Sequence, residues 1–361
     1  MKTVVNLPHN WLLIGYIKTR CKKIKKVASN NLIFVKHMQE TIFNINSETQ
    51  FTKIALAVFK HQFKNNKVYR SFCDLLFVHP SSISTIEEIP FLPIQFFKSR
   101  KVLSSLEEIQ ETFTSSGTTG SSTSKHLVTN INLYKESYLK GFAHFYGNIE
   151  EYTVLALLPN YLERQGSSLV FMVADLIEKS KKSESGFYLE NMQELAQKLI
   201  ELDEKGKKTL LIGVSFALLD LIEMQQFNLK NTTIMETGGM KGRRKELVRE
   251  ELHTILKDGF GVTEIHSEYG MTELLSQGYS KGNGVFETPP WMKILTRDTE
   301  DALTINFPEK NGGINVIDLA NYNSCSFIAT QDLGKVHTNG TFEIIGRFDN
   351  SDIRGCNLLV L

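Results

Sequence analysis

Residues 209–214 read Thr209-Leu210-Leu211-Ile212-Gly213-Val214, an apolar run with the length of one buried strand. Two further runs of this kind occupy residues 153–158 and 232–235, and amphipathic stretches such as 168–179 and 243–257 lie among them. Strands that alternate with helices form right-handed βαβ units with parallel strands. The pattern therefore predicts an α/β fold built on a largely parallel sheet.

The flanking segments have other patterns. Apolar residues within 31–75 recur near a 3.6-residue period, which predicts helix, whereas Pro90 and Pro93 predict an extended connector around Phe91-Leu92. In the stretch 243–257, we expect one helical face to carry Leu247, Val248, Leu252, Ile255 and Leu256. We expect three regions: an N-terminal extension at 1–39, an α/β core at 40–285 and a β-rich lobe at 286–361.

The composition is that of a folded protein without a dominant charge. The chain has 361 residues, 41% of them hydrophobic, with 41 Lys or Arg against 40 Asp or Glu. This balance excludes a global field for nucleic acid or an anionic membrane surface. At roughly 150 residues per domain, the length predicts two or three lobes.

The N-terminus and the cysteines indicate a cellular location. The apolar stretch at residues 11–17 is too short to span a membrane, and no signal-peptide cleavage pattern follows it. The cysteines are far apart, without CxxC or zinc spacing, which is typical of a reducing cytosol; they are Cys21, Cys73, Cys325 and Cys356. We expect a cytoplasmic protein without a membrane span.

A segment rich in Ser, Thr and Gly runs from Thr114 to Lys125. Backbone N–H groups at such glycines converge on anions, so one interpretation is a phosphate-binding loop, and the other is a flexible linker. Lys125 or His126 would supply positive charge nearby. The candidate phosphate-binding residues are Ser115, Ser116, Gly117, Thr118, Thr119 and Gly120.

The stretch Ser267-Glu268-Tyr269-Gly270-Met271-Thr272-Glu273 follows an apolar segment at 261–266 that predicts a strand. A glycine turn at the carboxyl edge of a parallel sheet lies where α/β proteins bind ligands. Thr272 suits a phosphate oxygen, Glu273 suits a hard cation such as Mg²⁺, and Tyr269 offers a flat face to a base. The alternative is an ordinary turn with a solvent-facing Glu273.

Further candidates lie in three other stretches. Gly238 and Gly239 indicate either close approach of the backbone to a ligand or a tight turn. Asp332 suits ribose hydroxyls or a turn cap, and Arg347 suits a salt bridge. Cys356 follows Arg354-Gly355, and a nearby cation favours the reactive thiolate, although a lone cysteine is more often a small buried residue.

In this order, the motifs resemble those of the acyl-adenylate-forming superfamily. Within it, the chain is most similar to the acyl-protein synthetases of the LuxE family over roughly residues 40–361. The stretches that carry this second resemblance are Leu92–Lys98, Pro289–Lys293 and Asp352–Cys356. The resemblance implies the N-terminal-type fold of adenylate-forming enzymes, with βαβ sheets, a small β-rich C-terminal lobe and no full mobile C-terminal domain.

The resemblance also implies roles for the candidate residues. Residues 115–120 would hold the phosphates of ATP, Thr272 and Glu273 would serve phosphate and Mg²⁺, and Cys356 would accept the acyl group. The remaining implied contacts are Gly238 and Gly239 with adenine and the acyl pocket, Tyr269 with the ring, Asp332 with the ribose, and Arg347 with the nucleotide or a hinge.

Two departures from the superfamily pattern bear on function. Ser-Ser-Thr-Ser separates the glycine loop from Lys125, where the superfamily has Pro-Lys, and Leu361 ends the chain five residues after Cys356. The resemblance implies an ATP- and Mg²⁺-dependent ligase that activates a fatty or related acid as acyl-AMP. It would then hold the acyl group as a thioester for a partner such as a reductase or carrier protein. The alternatives are an acyl- or aryl-CoA ligase with a structural Cys356, and a non-catalytic nucleotide-binding partner subunit.

Overall fold

The computed structural model describes residues 41–115, 123–159, 166–238 and 247–348. The chain divides into two compact units, residues 1–44 and residues 45–361. Residues 41–44 make a turn in which the Asn44 N–H donates to the Thr41 carbonyl at 3.1 Å. All elements below belong to the second unit. The predicted N-terminal extension, 1–39, lies outside the described residues.

The helices of the described residues are mostly two to five turns long. Within these ranges, no helix is both long and apolar enough to cross a bilayer. The α-helices are α1 Glu48–Asn65, α2 Lys67–Leu75, α3 Phe96–Ser99, α4 Ile131–Tyr146, α5 Ser168–Ser180, α6 Met192–Glu204, α7 Ser215–Met224 and α8 Arg249–Phe260, and short 3-10 turns occupy Ile149–Glu151 and Leu319–Asn321.

The strands form one large mixed sheet and one hairpin. The first seven strands are β1 Leu92–Pro93, β2 Glu111–Thr114, β3 Lys125–Val128, β4 Thr153–Leu157, β5 Gly186–Phe187, β6 Thr209–Gly213 and β7 Thr232–Glu236. The remaining strands are β8 His266–Tyr269, β9 Gly278–Ser280, β10 Val285–Glu287, β11 Met292–Arg297, β12 Asn311–Asp318, β13 Phe327–Val336 and β14 Phe342–Arg347.

The large sheet has a parallel half and an antiparallel half. Its order is β11-β12-β13-β14-β10-β9-β8-β7-β6-β4-β5, with β1 added beside β13, and β2 pairs with β3 separately. The pairs from β5 through β8 are parallel, and those from β8 through β11 along this order are antiparallel. The α/β prediction and the β-rich region after 285 are therefore confirmed.

The predicted strands at 153–158, 209–214 and 232–235 are confirmed as β4, β6 and β7. Every residue of β4 and β6 is buried, because helices cover both faces of a parallel sheet and leave no solvent-facing alternation. The helix predicted at 168–179 is confirmed as α5, and α1 and α2 confirm helix within 48–75.

The helix predicted from residue 243 is observed only from Arg249. Residues 243–246 lie outside the described ranges, and Val248 is the extended N-cap residue of α8, with 70% of its surface exposed. The buried face of α8 includes Leu252 and Leu256 but not Ile255, which is 39% exposed. The prediction of a five-residue face was therefore wrong. Leu247 and Val248 precede the helix, and Ile255 lies on its exposed side.

The strand predicted at 261–266 was also wrong. Gly261 ends α8 in the left-handed conformation, with φ +65°, and a Cβ there would lie 2.6 Å from the Cα of Asn228. Strand β8 begins only at His266. Glu268 and Tyr269 are consequently strand residues, and the turn starts at Gly270.

The predicted boundary at residue 285 falls at β10. This strand pairs with β9 on one side and with β14 on the other, so the sheet continues through it. The assignment of separate regions at 40–285 and 286–361 stays a prediction.

Candidate active site

A cavity of about 500 Å³ lies at the carboxyl ends of β7 and β8. It brings together every predicted site residue that falls within the described ranges, namely Ser115, Gly238, Tyr269, Thr272, Glu273, Asp332 and Arg347. The edge at which parallel strands end is the usual ligand site of α/β sheets. The structure therefore collects, at one place, motifs that are far apart along the chain.

Tyr269 joins the β8 end of the cavity to β13. Its hydroxyl donates to Asp332 Oδ2 at 2.8 Å, and its ring packs edge-on against Phe342, with 5.6 Å between ring centroids. Burial, followed by the nearby Asp332 charge, raises the pKa of Tyr269. The hydroxyl therefore remains a proton donor that fixes the position of the ring beside the cavity.

Asp332 and Arg347 form an ion pair across neighbouring strands. They face each other in the register of β13 and β14, and Arg347 Nε lies 3.2 Å from Asp332 Oδ1. Burial raises the pKa of Asp332, while the Tyr269 hydroxyl and the charges of Arg347 and Arg297 oppose the rise. Arg347 is 73% exposed, so it is free to turn toward a ligand.

Behind this pair, the buried Arg297 supports the sheet. Its guanidinium donates to the carbonyls of Ile314 and Thr330 at 2.8 and 2.6 Å. Gly313 makes room for it, since a Cβ there would lie 2.6 Å from the guanidinium carbon. The sequence analysis missed Arg297 because its partners are all non-local.

Thr272 and Glu273 form the turn after β8. Glu273 is 5% exposed; burial raises the pKa of its carboxyl, and the Ser124 hydroxyl and the charges of Lys98 and Arg347 oppose that rise. The expectation of a solvent-facing Glu273 is therefore wrong. Lys98, on α3, also lines the cavity and is a cation that the sequence analysis quoted without a role.

The donor set at this turn fits Mg²⁺. The ion commonly takes one or two carboxylates together with substrate phosphates rather than a full protein cage. Glu273 supplies one carboxylate at the cavity wall, beside Thr272. Within the described ranges, no group of three or more His, Cys, Asp or Glu residues is arranged to hold a metal.

The turn at Gly238 is held by the buried carboxylate of Glu236, the last residue of β7. The Gly238 N–H donates to Glu236 Oε2 at 2.6 Å, and Ser215 and Ser267 donate their hydroxyls to the same carboxylate at 3.1 Å. Gly238 has φ +71°, a conformation that favours glycine. Burial opposes ionisation, but the nearby His253, whose Nε2 lies 3.6 Å from Oε1, and the hydrogen bond from Gly238 hold the pKa of Glu236 below its usual range.

Asp318 anchors the segment that follows Glu273. Its carboxylate accepts the N–H groups of Leu275 and Ser276 at 2.7 and 3.0 Å and the Ser276 hydroxyl at 2.5 Å. It also accepts the Ala320 N–H at 3.2 Å. Burial raises the pKa of Asp318 to about 6, although these donors oppose the rise.

His126 and Asn321 support the backbone of the same turn. His126 Nδ1 lies 2.9 Å from the Thr272 carbonyl oxygen, and its Nε2 lies 2.9 Å from Asn321 Oδ1. Asn321 donates its amide to the Glu273 carbonyl at 2.7 Å. Burial lowers the pKa of His126 to about 4. Because His126 does not line the cavity, it does not bring a positive charge to the cavity wall, as one interpretation expected. Lys125 is exposed and does not line the cavity.

The predicted phosphate-binding loop joins the paired strands β2 and β3. The Ser115 N–H donates to the Ser124 carbonyl at 3.2 Å, and the Ser124 N–H donates to Ser115 Oγ at 3.0 Å. Both serines line the cavity. The predicted residues Ser116, Gly117, Thr118, Thr119, Gly120, Gly239 and Cys356 lie outside the described residues.

Several solved structures have a similar fold. The chain matches ATP-bound MatB from Rhodopseudomonas palustris at 18% identity and TM-score 0.50, over 67% of this chain and 49% of that one. It matches 2-hydroxyisobutyryl-CoA ligase at 11% identity and TM-score 0.60, over 85% and 72%. The chain thus spans about half the length of MatB. Its fold is that of the adenylate-forming enzymes.

Sequence similarity points to one branch of that class. The family model described as "Acyl-protein synthetase, LuxE" matches residues 24–153. The long-chain-fatty-acid–luciferin-component ligases of Aliivibrio fischeri and Vibrio harveyi are each 24% identical. The first match covers 95% of this chain and 96% of the relative, and the second covers 91% and 92%. These matches confirm the resemblance of the chain to the LuxE family.

Proposed function

We propose that the protein activates a fatty or related carboxylic acid with ATP as an acyl adenylate and then holds the acyl group on Cys356 as a thioester. One observation carries the proposal: a single cavity joins Ser115, Gly238, Tyr269–Glu273, Asp332 and Arg347. The relatives' name, a ligase of long-chain fatty acid, supports a fatty acid as the substrate.

The first step turns a poor acyl donor into a good one. A carboxylate oxygen of the acid attacks the α-phosphate of ATP, and pyrophosphate leaves. Ser115 and the rest of the 115–120 loop would donate to the phosphates, while Lys98 brings a positive charge to the cavity wall. A Mg²⁺ held by Glu273, beside Thr272, would neutralise charge on the phosphates. Donors fixed before the reaction stabilise the developing charge without reorganisation.

The nucleotide would lie along the β8 and β13 side of the cavity. Tyr269 is fixed by its hydrogen bond to Asp332, so its ring is already oriented for a base. The Asp332 carboxylate has lone pairs left for the ribose hydroxyls. On the other side, the Gly238–Gly239 turn would allow the backbone to approach adenine and the acyl group.

The second step moves the acyl group to sulfur. The Cys356 thiolate would attack the acyl carbon, forming the C–S bond as the bond between that carbon and the phosphate oxygen breaks and AMP leaves. Cys73 and Cys325 do not suit this role, because both are buried and burial raises the pKa of each thiol to about 12. An acyl-accepting partner, such as a reductase or carrier protein, would take the product.

The adenylation step is tested by carboxylate-dependent exchange of pyrophosphate into ATP. Loss of one charge-stabilising group costs about 10²-fold in rate, and we expect that loss for Glu273→Gln. Glu251→Gln, on the exposed side of α8, is the matched control and should exchange at the native rate. Native exchange in Glu273→Gln would contradict the assigned role of Glu273. No exchange by the native protein would favour the non-catalytic subunit.

The thioester step is tested by labelled acid that remains on denatured protein and is released by hydroxylamine. Cys356→Ser should keep pyrophosphate exchange and lose the label, whereas Cys73→Ser and Cys325→Ser should keep both. If Cys356→Ser still carries stoichiometric label, the assignment of Cys356 is wrong. Native protein that carries no label and releases acyl-CoA instead would favour the CoA ligase.

A further inference from the structure

Glu268 is a carboxyl group at the cavity that nucleotide binding does not use. It lies on β8 between Ser267 and Tyr269, whose hydroxyls donate to Glu236 and Asp332. Glu268 itself lines the cavity. Among the described residues, it has neither a hydrogen-bond partner nor an ion-pair partner. The residue is half-buried, so its carboxyl group is accessible to a ligand in the cavity.

The position of Glu268 places it beside the reacting part of the site. Its Oε1 lies against Gly270, so close that a Cβ added to Gly270 would overlap it. Gly270 begins the turn that carries Thr272 and Glu273, which we assign to the phosphates. The Glu268 carboxyl therefore lies at the junction between the proposed phosphate side and the rest of the cavity.

The surroundings of Glu268 raise the pKa of its carboxyl group toward neutral pH. The titratable groups that face it are Glu236 on β7, Tyr134 on α4 and Tyr279 on β9. Burial, and then the negative charge of Glu236, raises the pKa of Glu268 to about 8. A general base is most effective when its pKa lies near the operating pH.

The other two carboxyl groups that line the cavity, Glu273 and Asp332, already have roles, and Glu273 is assigned to Mg²⁺. Asp332 accepts from Tyr269 and pairs with Arg347. Glu236 accepts from two serines and a backbone N–H. Both ring nitrogens of His126 are in contact with protein oxygens. Among the described groups, Glu268 is the carboxyl left for proton transfer.

We propose that Glu268 is the general base of the thioester step, accepting the proton of the attacking thiol. This inference rests on the proposed function. The thiol sulfur bonds to the acyl carbon, the bond from that carbon to the phosphate oxygen breaks, and AMP leaves with the electron pair. The S–H proton passes to the Glu268 carboxylate and from there to solvent. Adenylation releases no such proton, so it does not need Glu268.

The test measures both half-reactions in Glu268→Gln, which retains the shape of the protonated side chain. Pyrophosphate exchange should stay within about threefold of native, and the single-turnover rate of acyl label appearing on the protein should fall about 10²-fold at pH 7. The deficit should shrink toward pH 9, because the thiolate then forms without a base. Glu268→Asp should retain part of the rate and the native pH profile, and Glu251→Gln should match native.

Native acylation by Glu268→Gln at pH 7 would overturn this proposal and leave the proposed function standing. A deficit of constant size from pH 7 to 9 would also overturn it, since a merely structural defect does not depend on the ionisation of the thiol. Absence of exchange in the native protein would overturn the proposed function and this proposal together. The paired measurements therefore separate the two failures.

Discussion

Two buried carboxylates, Asp318 and Glu236, hold two different turns of the cavity, and they differ in what surrounds them. Asp318 accepts from two backbone N–H groups and a hydroxyl in the segment after Glu273. Glu236 accepts from the Gly238 turn and two serines, and it also lies near His253, with 3.6 Å between His253 Nε2 and Glu236 Oε1. Each carboxylate accepts hydrogen bonds from backbone N–H groups of a loop that carries site residues.

The comparison shows what sets the proton affinity of a buried carboxyl group. Hydrogen bonds from neutral donors leave the pKa of Asp318 raised to about 6 by burial. Around Glu236, His253 and Arg249 add to the hydrogen bonds, and the pKa is lowered despite burial. Neutral donors thus position a loop, while a nearby cation such as Arg249 also influences the charge of the anchor.

The largest effect is expected from Asp318→Ala. The substitution leaves four buried donors without their acceptor, at about 1–3 kcal/mol each where no water replaces it. We expect the free energy of unfolding to fall by about 4 kcal/mol in urea denaturation. Asp258→Ala, an exposed position on α8, is the control and should change it by less than about 0.5 kcal/mol. A loss below about 1 kcal/mol for Asp318→Ala would show that Asp318 does not anchor the turn.

The two anchors should respond to pH in opposite directions. Asp318 has a raised pKa in the folded state, so its contribution to stability is full below its usual pKa of 3.8 and is lost as pH rises through about 6. Relative to Asp318→Asn, the native protein should therefore lose about 2 kcal/mol between pH 4.5 and 7.5. Glu236 has a lowered pKa, so its contribution is present above 4.5 and is lost on acidification.

This prediction is checked by denaturation of native protein, Asp318→Asn and Glu236→Gln at several pH values. The difference between native and Asp318→Asn should change with the sign given above, and that between native and Glu236→Gln should change with the opposite sign. If the stability difference from native protein changed equally with pH for both variants, the proposed contrast between Asp318 and Glu236 would be wrong.

A smaller effect is expected from Glu236→Gln. The amide keeps one acceptor oxygen for Gly238 but loses the charge near His253, so the stability loss should be about 1 kcal/mol. If the Gly238 turn contacts the nucleotide, as proposed, the KM for ATP in pyrophosphate exchange should rise about tenfold with little change in kcat. A lowered kcat at unchanged KM would place Glu236 in another role.

The strands that the sequence predicted correctly are those whose environment is uniform. Strands β4 and β6 are buried along their whole length, and a continuous apolar run records that burial. Strand β8 reads His-Ser-Glu-Tyr and is held by hydrogen bonds to Glu236 and Asp332, so no apolar pattern marks it. The prediction from the apolar pattern therefore put this strand at residues 261–266, before its observed start at His266.

For the candidate site, the sequence analysis predicted the motif residues but not the buried residues that hold them in place. Ser115, Tyr269, Thr272 and Asp332 belong to recognisable stretches, whereas the partners of Asp318 and His126 are non-local; His126 meets Asn321, 195 residues later. One local signal was available for the anchors: Glu236 and Asp318 each end a strand directly after two apolar residues, Ile234-Met235 and Val316-Ile317. The burial of His126 was not predicted because its contacts are with residues far along the chain.

The pairing of β1 with β13 bears on how the chain reaches its native state. Leu92 and Pro93 lie beside Ile328 and Ala329, and Gln62 on α1 donates to backbone carbonyls 259 and 260 residues later. During synthesis, α1 and β1 must wait for most of the chain before these partners exist. Contacts between such distant segments slow folding, because the entropy of closing a long loop is lost before the contact forms. This part of the fold is therefore completed late in folding.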